Sequence, residues 1–375
     1  VKKNVNVICD LQFGSCGKGL IAGYLAKRTA PDTLVTAWGP NSGHTFVDGD
    51  IKYVHCMLAN GVVSPNLQRI MIAPASQINV NLLRHEFGHC RDLFENRTST
   101  VKLVVHKNAA MIQDRHVDQE SGSCGGMTRI GSTKKGCGAC AIEKIQRRVD
   151  DQLTVEAHKE MFRQKFADLP ILLEIVDTEG WVEHLNASEL IQVEGSQGFS
   201  LGMHSGFFPY TTSRECTVAQ ILSDCLISPA QLNWVVGVMR TFPIRVANRY
   251  NERGEQIGWS GPVYSDQREI SWEMLGIQPE ITTVTRLVRR VFTFSEIQMR
   301  LGLAVNAPTD LFLNFLNQIP ENFNQELGLA YTPTDFIEKV SEICLDVLGR
   351  DCNKFYGWGP DDSQVMSLDS HPVED

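Results

Sequence analysis

Val5, Val7 and Cys9 fall on every second position of VNVICD, the period of a strand with a buried face. The pattern breaks into a glycine turn from Gly14 to Gly19 and resumes as an apolar helix from Leu20 to Ala26. Further strands are predicted over Thr33 to Trp38, Arg69 to Ala73, Leu103 to Val105, Leu190 to Glu194, Asn233 to Arg240 and Leu311 to Leu316. Phe46 to Met57 reads as a hairpin turning at Asp48-Gly49. Helices are predicted over Asn79 to Asp92, Ala141 to Val149, Gln152 to Ala167, Thr217 to Leu226, Asp266 to Leu275, Ser295 to Val305 and Thr334 to Leu348. Between Gln119 and Cys140 the chain is polar, glycine-rich and unpatterned, which predicts a long loop, and such loops are usually functional or disordered. Strands alternating with helices, with no repeat, low-complexity tract or linker, predict an α/β fold. It would be a single elaborated domain, residues 1–375, around a mostly parallel central sheet.

Composition narrows the class. A chain of 375 residues, 42% hydrophobic and 21% charged, can bury a large core as an ordinary soluble globule. No apolar run reaches transmembrane length and VKKNVNVICD runs straight into a strand, so neither a membrane partner nor a signal peptide is expected. Eleven cysteines without a framework suggest reduced thiols in a cytoplasmic compartment. A formal charge of −9 argues against a nucleic-acid-coating protein, so an anionic ligand must be met by local cations.

Three motifs compete for attention. His85-Glu86-Phe87-Gly88-His89 matches a zinc-peptidase pattern on a predicted helix, but no third ligand follows it, and a packing face reads it as well. Cys137-Gly138-Ala139-Cys140, with Cys124 upstream, lacks the second pair that a structural zinc site requires. Asn186-Ala187-Ser188 is a formal glycosylation sequon without meaning in a reducing compartment.

The first turn carries more. Strand, glycine loop and helix form the geometry in which backbone N–H groups and a helix N-terminus surround a phosphate, although any tight βα turn shares it. The spacing is not that of a Walker A loop. Phe13 to Gly19, FGSCGKG, resembles the WGDEGKG loop of the adenylosuccinate synthetases. Pro40 to Thr45 is similar to their NAGHT segment, and Glu194 to Gly198 with Phe208 to Ser213 is similar to their EGAQG…YPYVTSS. Gly357 to Asp361 resembles their STGPD, and Gly131 to Gly138 with Arg147-Arg148 sits where they have GTTGRGIGP and its arginines. These segments keep the family's order along nearly the whole chain.

The resemblance implies a P-loop-like glycine loop and a ligase that joins aspartate to the 6-position of a purine nucleotide. A nucleoside triphosphate first phosphorylates the 6-oxygen, and the aspartate amine then displaces phosphate. It implies catalytic roles for Ser15, Lys18, His44 and Gln197. His44 would be the general acid at the donor's leaving phosphate, and Gln197 would hold the 6-position. Asn41, Thr133, Thr212, Val246 and Leu287 would line the acceptor nucleotide, and Arg147 would reach across a homodimer to its 5′-phosphate. The donor would meet Gly14, Cys16, Gly17, Gly19, Gly43, Thr45, Phe315, Asn317, Gly359 and Pro360. Aspartate would meet Thr283, Val284, Thr285 and Arg289. Mg²⁺ would touch the carbonyl of Gly43, with Ser15 beside it.

Three departures from the family pattern change the implied substrates. Ser15 stands where ordinary members have the Asp that takes the N1 proton of inosinate, and a hydroxyl cannot replace it at neutral pH. Shortening that side chain opens space at the 2-position, and Oγ can accept from a guanine 2-amino group. The same exchange marks the viral branch, the 2-aminoadenylosuccinate synthetases, which act on dGMP. Asn317 of Phe315-Leu316-Asn317 stands where the family's Asp reads guanine of GTP, which suits ATP or dATP. Leu287 replaces an arginine near the ribose 2′-hydroxyl, which suits a deoxyribose, while Arg289 keeps the aspartate-clamping place and Arg286 compensates. The expectation is a cytoplasmic ligase (host cytoplasm if viral) that joins dGMP and L-aspartate. Its alternatives are an ordinary inosinate enzyme driven by GTP and a nucleotide binder without catalysis.

Overall fold

The computed structural model describes residues 1–121, 126–148, 152–282, 287–320 and 332–367. A ten-stranded sheet runs through it. In spatial order its strands are Val365–Ser367, Asn353–Gly357, Asp310–Asn314, Leu232–Arg240, Val5–Asp10, Ile191–Glu194, Thr33–Thr36, Arg69–Ile72, Val101–His106 and Ile171–Val176. All neighbours pair in parallel except Val365–Ser367, which runs back along Asn353–Gly357. The α/β expectation therefore holds. Val5–Asp10 lies at the centre, with the chain building outward on both sides, and the crevice beyond the carboxyl ends of such strands is where open sheets bind ligands.

The period-two reading of the first strand explains its place. Val5, Val7 and Cys9 enter one hydrophobic cluster with Val193, Val235, Met299 and Leu303, while Ile8 enters the cluster on the other face with Leu20, Phe46 and Phe312. The helix Lys18–Thr29 is buried from Lys18 to Ala26, because the hairpin His44–Asp48/Ile51–His55 covers its outer side. Gly23 makes that cover possible: a Cβ there would stand 2.3 Å from the Phe46 ring.

Several elements differ from the pattern reading. The predicted helix over Asp266 to Leu275 is a turn region containing the short strand Glu269–Ile270, which pairs with Arg290–Phe292. The Asp266 carboxylate is spent on Ser295 Oγ (2.7 Å) and the Ile297 amide (3.0 Å) at the start of the helix Glu296–Asn306, and this draws the segment out of helical geometry. Within the predicted loop Gln119 to Cys140, Gly126–Arg129 is helical and the helix Cys137–Gln146 begins. Its N-terminus is capped from a distance: Glu120 accepts from the amides of Gly136 (2.7 Å), Gly138 (2.7 Å) and Ala139 (3.2 Å). The predicted helix from Gln152 shortens to Lys159–Phe166, because Leu153 and Val155 bond to Met111 and Ala109 instead. The edge strands Ile171–Val176 and Val365–Ser367, the strand Asn353–Gly357 inside the latter and the helix Thr178–Asn186 had no expectation.

Candidate active site

A cleft of about 570 Å³ opens at the carboxyl ends of the central strands. The turn after Val5–Asp10 forms its floor, with Gly14, Ser15 and Gly17 at φ of 80, 57 and 101. Serine pays strain at such a φ, and two arginines hold it there: Arg240 donates to the Ser15 carbonyl (3.1 Å) and Arg289 to its Oγ (2.9 Å). Gly14, Ser15, Gly17, Lys18 and Gly19 line the cleft; Cys16 does not, and burial raises its thiol well above the usual range.

Lys18 is buried, with Nζ 3.0 Å from Asp10 Oδ2 and a second bond to the Gln197 carbonyl. Gln197 comes from the loop after Ile191–Glu194, itself at φ 60, and Gly198 lets the two loops touch: a Cβ on it would stand 2.3 Å from the Gly14 nitrogen. His44 opens the hairpin beside them. Its Nδ1 is 2.6 Å from Glu194 Oε1, and Glu194 Oε2 accepts from the Asn60 amide at 2.8 Å. An ionised carboxylate only accepts, so Nδ1 donates and Nε2 is the ring nitrogen left for other chemistry. The Trp38 ring meets the imidazole edge-on, 4.5 Å between centroids, and fixes its plane.

On the wall expected to meet the acceptor, Asn41 Nδ2 is 3.4 Å from Thr212 Oγ1, so two residues far apart in the chain share one wall. Thr133, Val246, Leu287 and Arg289 line the same cleft. Arg147 is exposed and is not among its lining residues. Of the residues expected at the donor, Gly43, Thr45, Phe315, Gly359 and Pro360 line the cleft wall. Phe315 carries the Arg240 guanidinium 3.9 Å over its ring. Asn314 also lines this wall, but its amide is spent on the Cys16 carbonyl (3.0 Å) and the Phe315 amide (2.8 Å). Asn317 is exposed, outside the lining, and its side chain has no hydrogen bond among the described residues. Thr283, Val284, Thr285 and Arg286 lie outside the described residues.

The charge balance inside the cleft opposes that of the chain. Among the described residues, Lys18, Arg245, Arg249 and Arg289 line it against the single carboxylate of Glu120, whose oxygens are occupied by backbone amides. Burial works against the charges of Arg245 and Arg289. Burial also works against Glu280, but Arg240 beside it outweighs that and holds its carboxyl below the usual range. Sequence reading assigned no role to Asp10, Glu120, Glu194, Arg240 or Glu280. Only the position of Glu194, three residues before Gln197, gave any signal.

The zinc-peptidase reading finds no support. Glu86 accepts from the amides of Cys56 (2.6 Å), Met57 (2.9 Å) and Leu58 (2.8 Å), and no group of three potential ligands is found among the described residues. Cys137 and Cys140 are buried thiols pushed up to about 12 by burial. No helix among the described residues is long and apolar enough to cross a membrane.

Comparison with known proteins gives one consistent result. The adenylosuccinate synthetase family model matches residues 7–170 and 170–374. The chain is 48% identical to the N6-succino-2-amino-2′-deoxyadenylate synthase of Acinetobacter phage SH-Ab 15497, over 84% of each chain. It is 46% identical to the synthase of that name from Salmonella phage PMBT28, over 96% of each. In structure it is similar to the succinoaminodeoxyadenylate synthetase of Cyanophage S-2L, solved bound to dGMP and to dATP as an energy donor. The TM-score is 0.80, at 37% identity, covering 99% of this chain and 97% of that one.

Proposed function

Because the chain belongs to the adenylosuccinate synthetase family, we propose that it condenses dGMP with L-aspartate, driven by ATP or dATP, to form N6-succino-2-amino-2′-deoxyadenylate. The observation that carries this choice is Ser15: a hydroxyl on the cleft floor, held by Arg289, where the ordinary members have a carboxylate. The names of the similar phage enzymes, and the dGMP and dATP bound in one of them, support the same substrates.

In the first step O6 of the guanine attacks the γ-phosphorus, and the bond to the bridging oxygen of the nucleoside diphosphate breaks. The N1 proton goes to a phosphate oxygen, since Ser15 has no low pKa with which to take it. Lys18 meets the charge on the moving phosphoryl group, and His44, oriented by Glu194, acts at the leaving phosphate. Gln197 holds O6. In the second step the aspartate amine attacks C6, phosphate leaves with O6, and the amine loses a proton. Arg289 presents a planar fork to the aspartate carboxylates.

Mg²⁺ belongs to this reading, screening charge on the donor phosphates. Since no group of three side-chain ligands is found among the described residues, the ion would ride on those phosphates, with Gly43, which lines the cleft, offering its carbonyl. Ser15 does not fit as a second ligand, because its Oγ faces the Arg289 guanidinium. The active form is read as a homodimer in which the exposed Arg147 serves the partner's acceptor phosphate.

The test is direct. The protein is incubated with aspartate, Mg²⁺ and each pairing of dGMP, GMP or IMP with ATP, dATP or GTP, and the product is identified by mass. Product from dGMP with ATP or dATP is expected; product from IMP with GTP alone would overturn the reading.

A further inference from the structure

Asp10 ends the central strand with its side chain buried beneath the glycine turn. Its Oδ1 accepts from the amides of Gln12 (2.9 Å) and Gly14 (3.1 Å), and its Oδ2 from the Cys16 amide (3.3 Å) and Lys18 Nζ (3.0 Å). A turn of this kind directs amides at a bound phosphate. Here alternate amides instead point down at a carboxylate of the protein itself. Gly198 closes the space from the other side, since a Cβ on it would stand 2.7 Å from Asp10 Oδ1.

Lys18 ends on the cleft wall with two of its partners fixed inside the protein, Asp10 Oδ2 and the Gln197 carbonyl. An ammonium has three N–H donors. With two spent inward, the tetrahedral geometry at nitrogen gives the third a single direction. A lysine without such anchors would instead sample many rotamers. The anchors also tie it to the loop whose Gln197 side chain enters the cleft.

We propose that Asp10 is a positioning residue that, with the Gln197 carbonyl, fixes the Lys18 ammonium so that one N–H is presented to the transferring phosphate. The inference rests on the reading of the cleft as a triphosphate site. It assigns Asp10 no contact with substrate: it acts through Lys18. The negative charge absent from position 15 is thus present five residues earlier, beneath the turn rather than above it.

Asp10→Asn keeps the side chain's shape and an oxygen for the Gln12 and Gly14 amides, but loses the acceptor for the Cys16 amide and the charge that faces Lys18; the Lys18→Met background carries the first loss too, so the comparison isolates the second. In the full chain this variant should bind a non-hydrolysable ATP analogue about tenfold more weakly. In a Lys18→Met background the same change should cost less than about twofold, because the partner through which Asp10 acts is gone. Turnover should fall with the KM for dGMP little changed. Equal weakening in both backgrounds, or none in either, would make Asp10 a scaffold of the turn and overturn the proposal. If the variant does not fold, the wild-type protein labelled with ¹⁵N-lysine decides: a slowly exchanging, hydrogen-bonded Lys18 ammonium is expected, and a freely exchanging one overturns it. Ligation of dGMP by the wild type, assayed alongside, tests the reaction separately: absent ligation with the Asp10–Lys18 coupling intact counts against the reaction alone.

Discussion

Ser15 is pinned by its backbone carbonyl and its hydroxyl to two different arginines, so its identity controls what Arg289 meets. Ser15→Asp would place a carboxylate against that guanidinium and bulk against the guanine 2-amino edge. We expect kcat/KM for dGMP to fall by at least about tenfold, the scale of one lost charge-assisted contact; equal activity in steady-state assays would refute this. Glu194→Gln should leave dGMP binding nearly intact while lowering turnover by about ten- to hundredfold, since an orienting partner of a catalytic ring is lost; initial rates at saturating dGMP would show it. For the donor, the uncommitted amide of Asn317 can donate to adenine N1 and accept from its 6-amino group. Asn317→Asp should therefore shift the ATP-to-GTP preference towards GTP, as competing-donor assays would measure; an unchanged ratio would show that another residue reads the base, since Asn317 is exposed and outside the cleft lining. That Lys18, His44 and Gln197 share one cleft was legible because each sits in a short segment whose order along the chain matches the family's. Asp10 and Glu194 were not, because their partners follow from strand neighbours and turn geometry: His44 and Glu194 are 150 residues apart.

At the scale of elements, carboxylates do what local patterning cannot announce. Glu120, buried, caps a helix it does not belong to, and Asp266, though exposed, draws its own segment out of the helix that its spacing predicts. Strong periodicity did survive: the strand Leu232–Arg240 and the helix Pro333–Leu348 stand nearly where expected, because their apolar faces meet the core as continuous stripes. Glu86 holds the hairpin's return to the helix Val80–His89. Burial pushes its carboxyl up to about 7 against the downward pull of three amides. A raised folded pKa means that the neutral form is the one favoured by folding. Its contribution to stability is complete below the ordinary carboxylate value and is lost as pH rises through about 7. At about 1.4 kcal/mol per unit the loss is a few kcal/mol at most. Denaturant titrations between pH 4.5 and 8 should show this slope in the wild type and a flatter one in Glu86→Gln.

For the whole molecule, a chain of net charge −9 keeps four cations, counted among the described residues, on the wall of one cleft. That cleft lies beside the central strand, where the sheet's two halves diverge. The fold class and the cleft's principal loops were legible because alternating elements permit few arrangements; the sheet's edges were not, their strands being short or only half-buried. The helix Cys137–Gln146 exposes Ile142 and Ile145, the latter 74% accessible, beside Arg147 and Arg148. In a homodimer built through this face, Ile145→Glu should shift the sedimentation coefficient towards a monomer. It should also weaken dGMP binding, because the partner's Arg147 would be withdrawn.

The central strand pairs with Ile191–Glu194 on one side and Leu232–Arg240 on the other. During synthesis, then, the apolar strand that carries the cleft's floor leaves the ribosome long before either neighbour exists. Loop closure over that distance is slow, and an unpaired apolar edge invites wrong partners in the interval. The sequence stretch most committed to chemistry therefore waits longer for its first native partner than any other strand of this sheet among the described residues. Chaperone demand and expression temperature should govern the yield of active protein more than its final stability does.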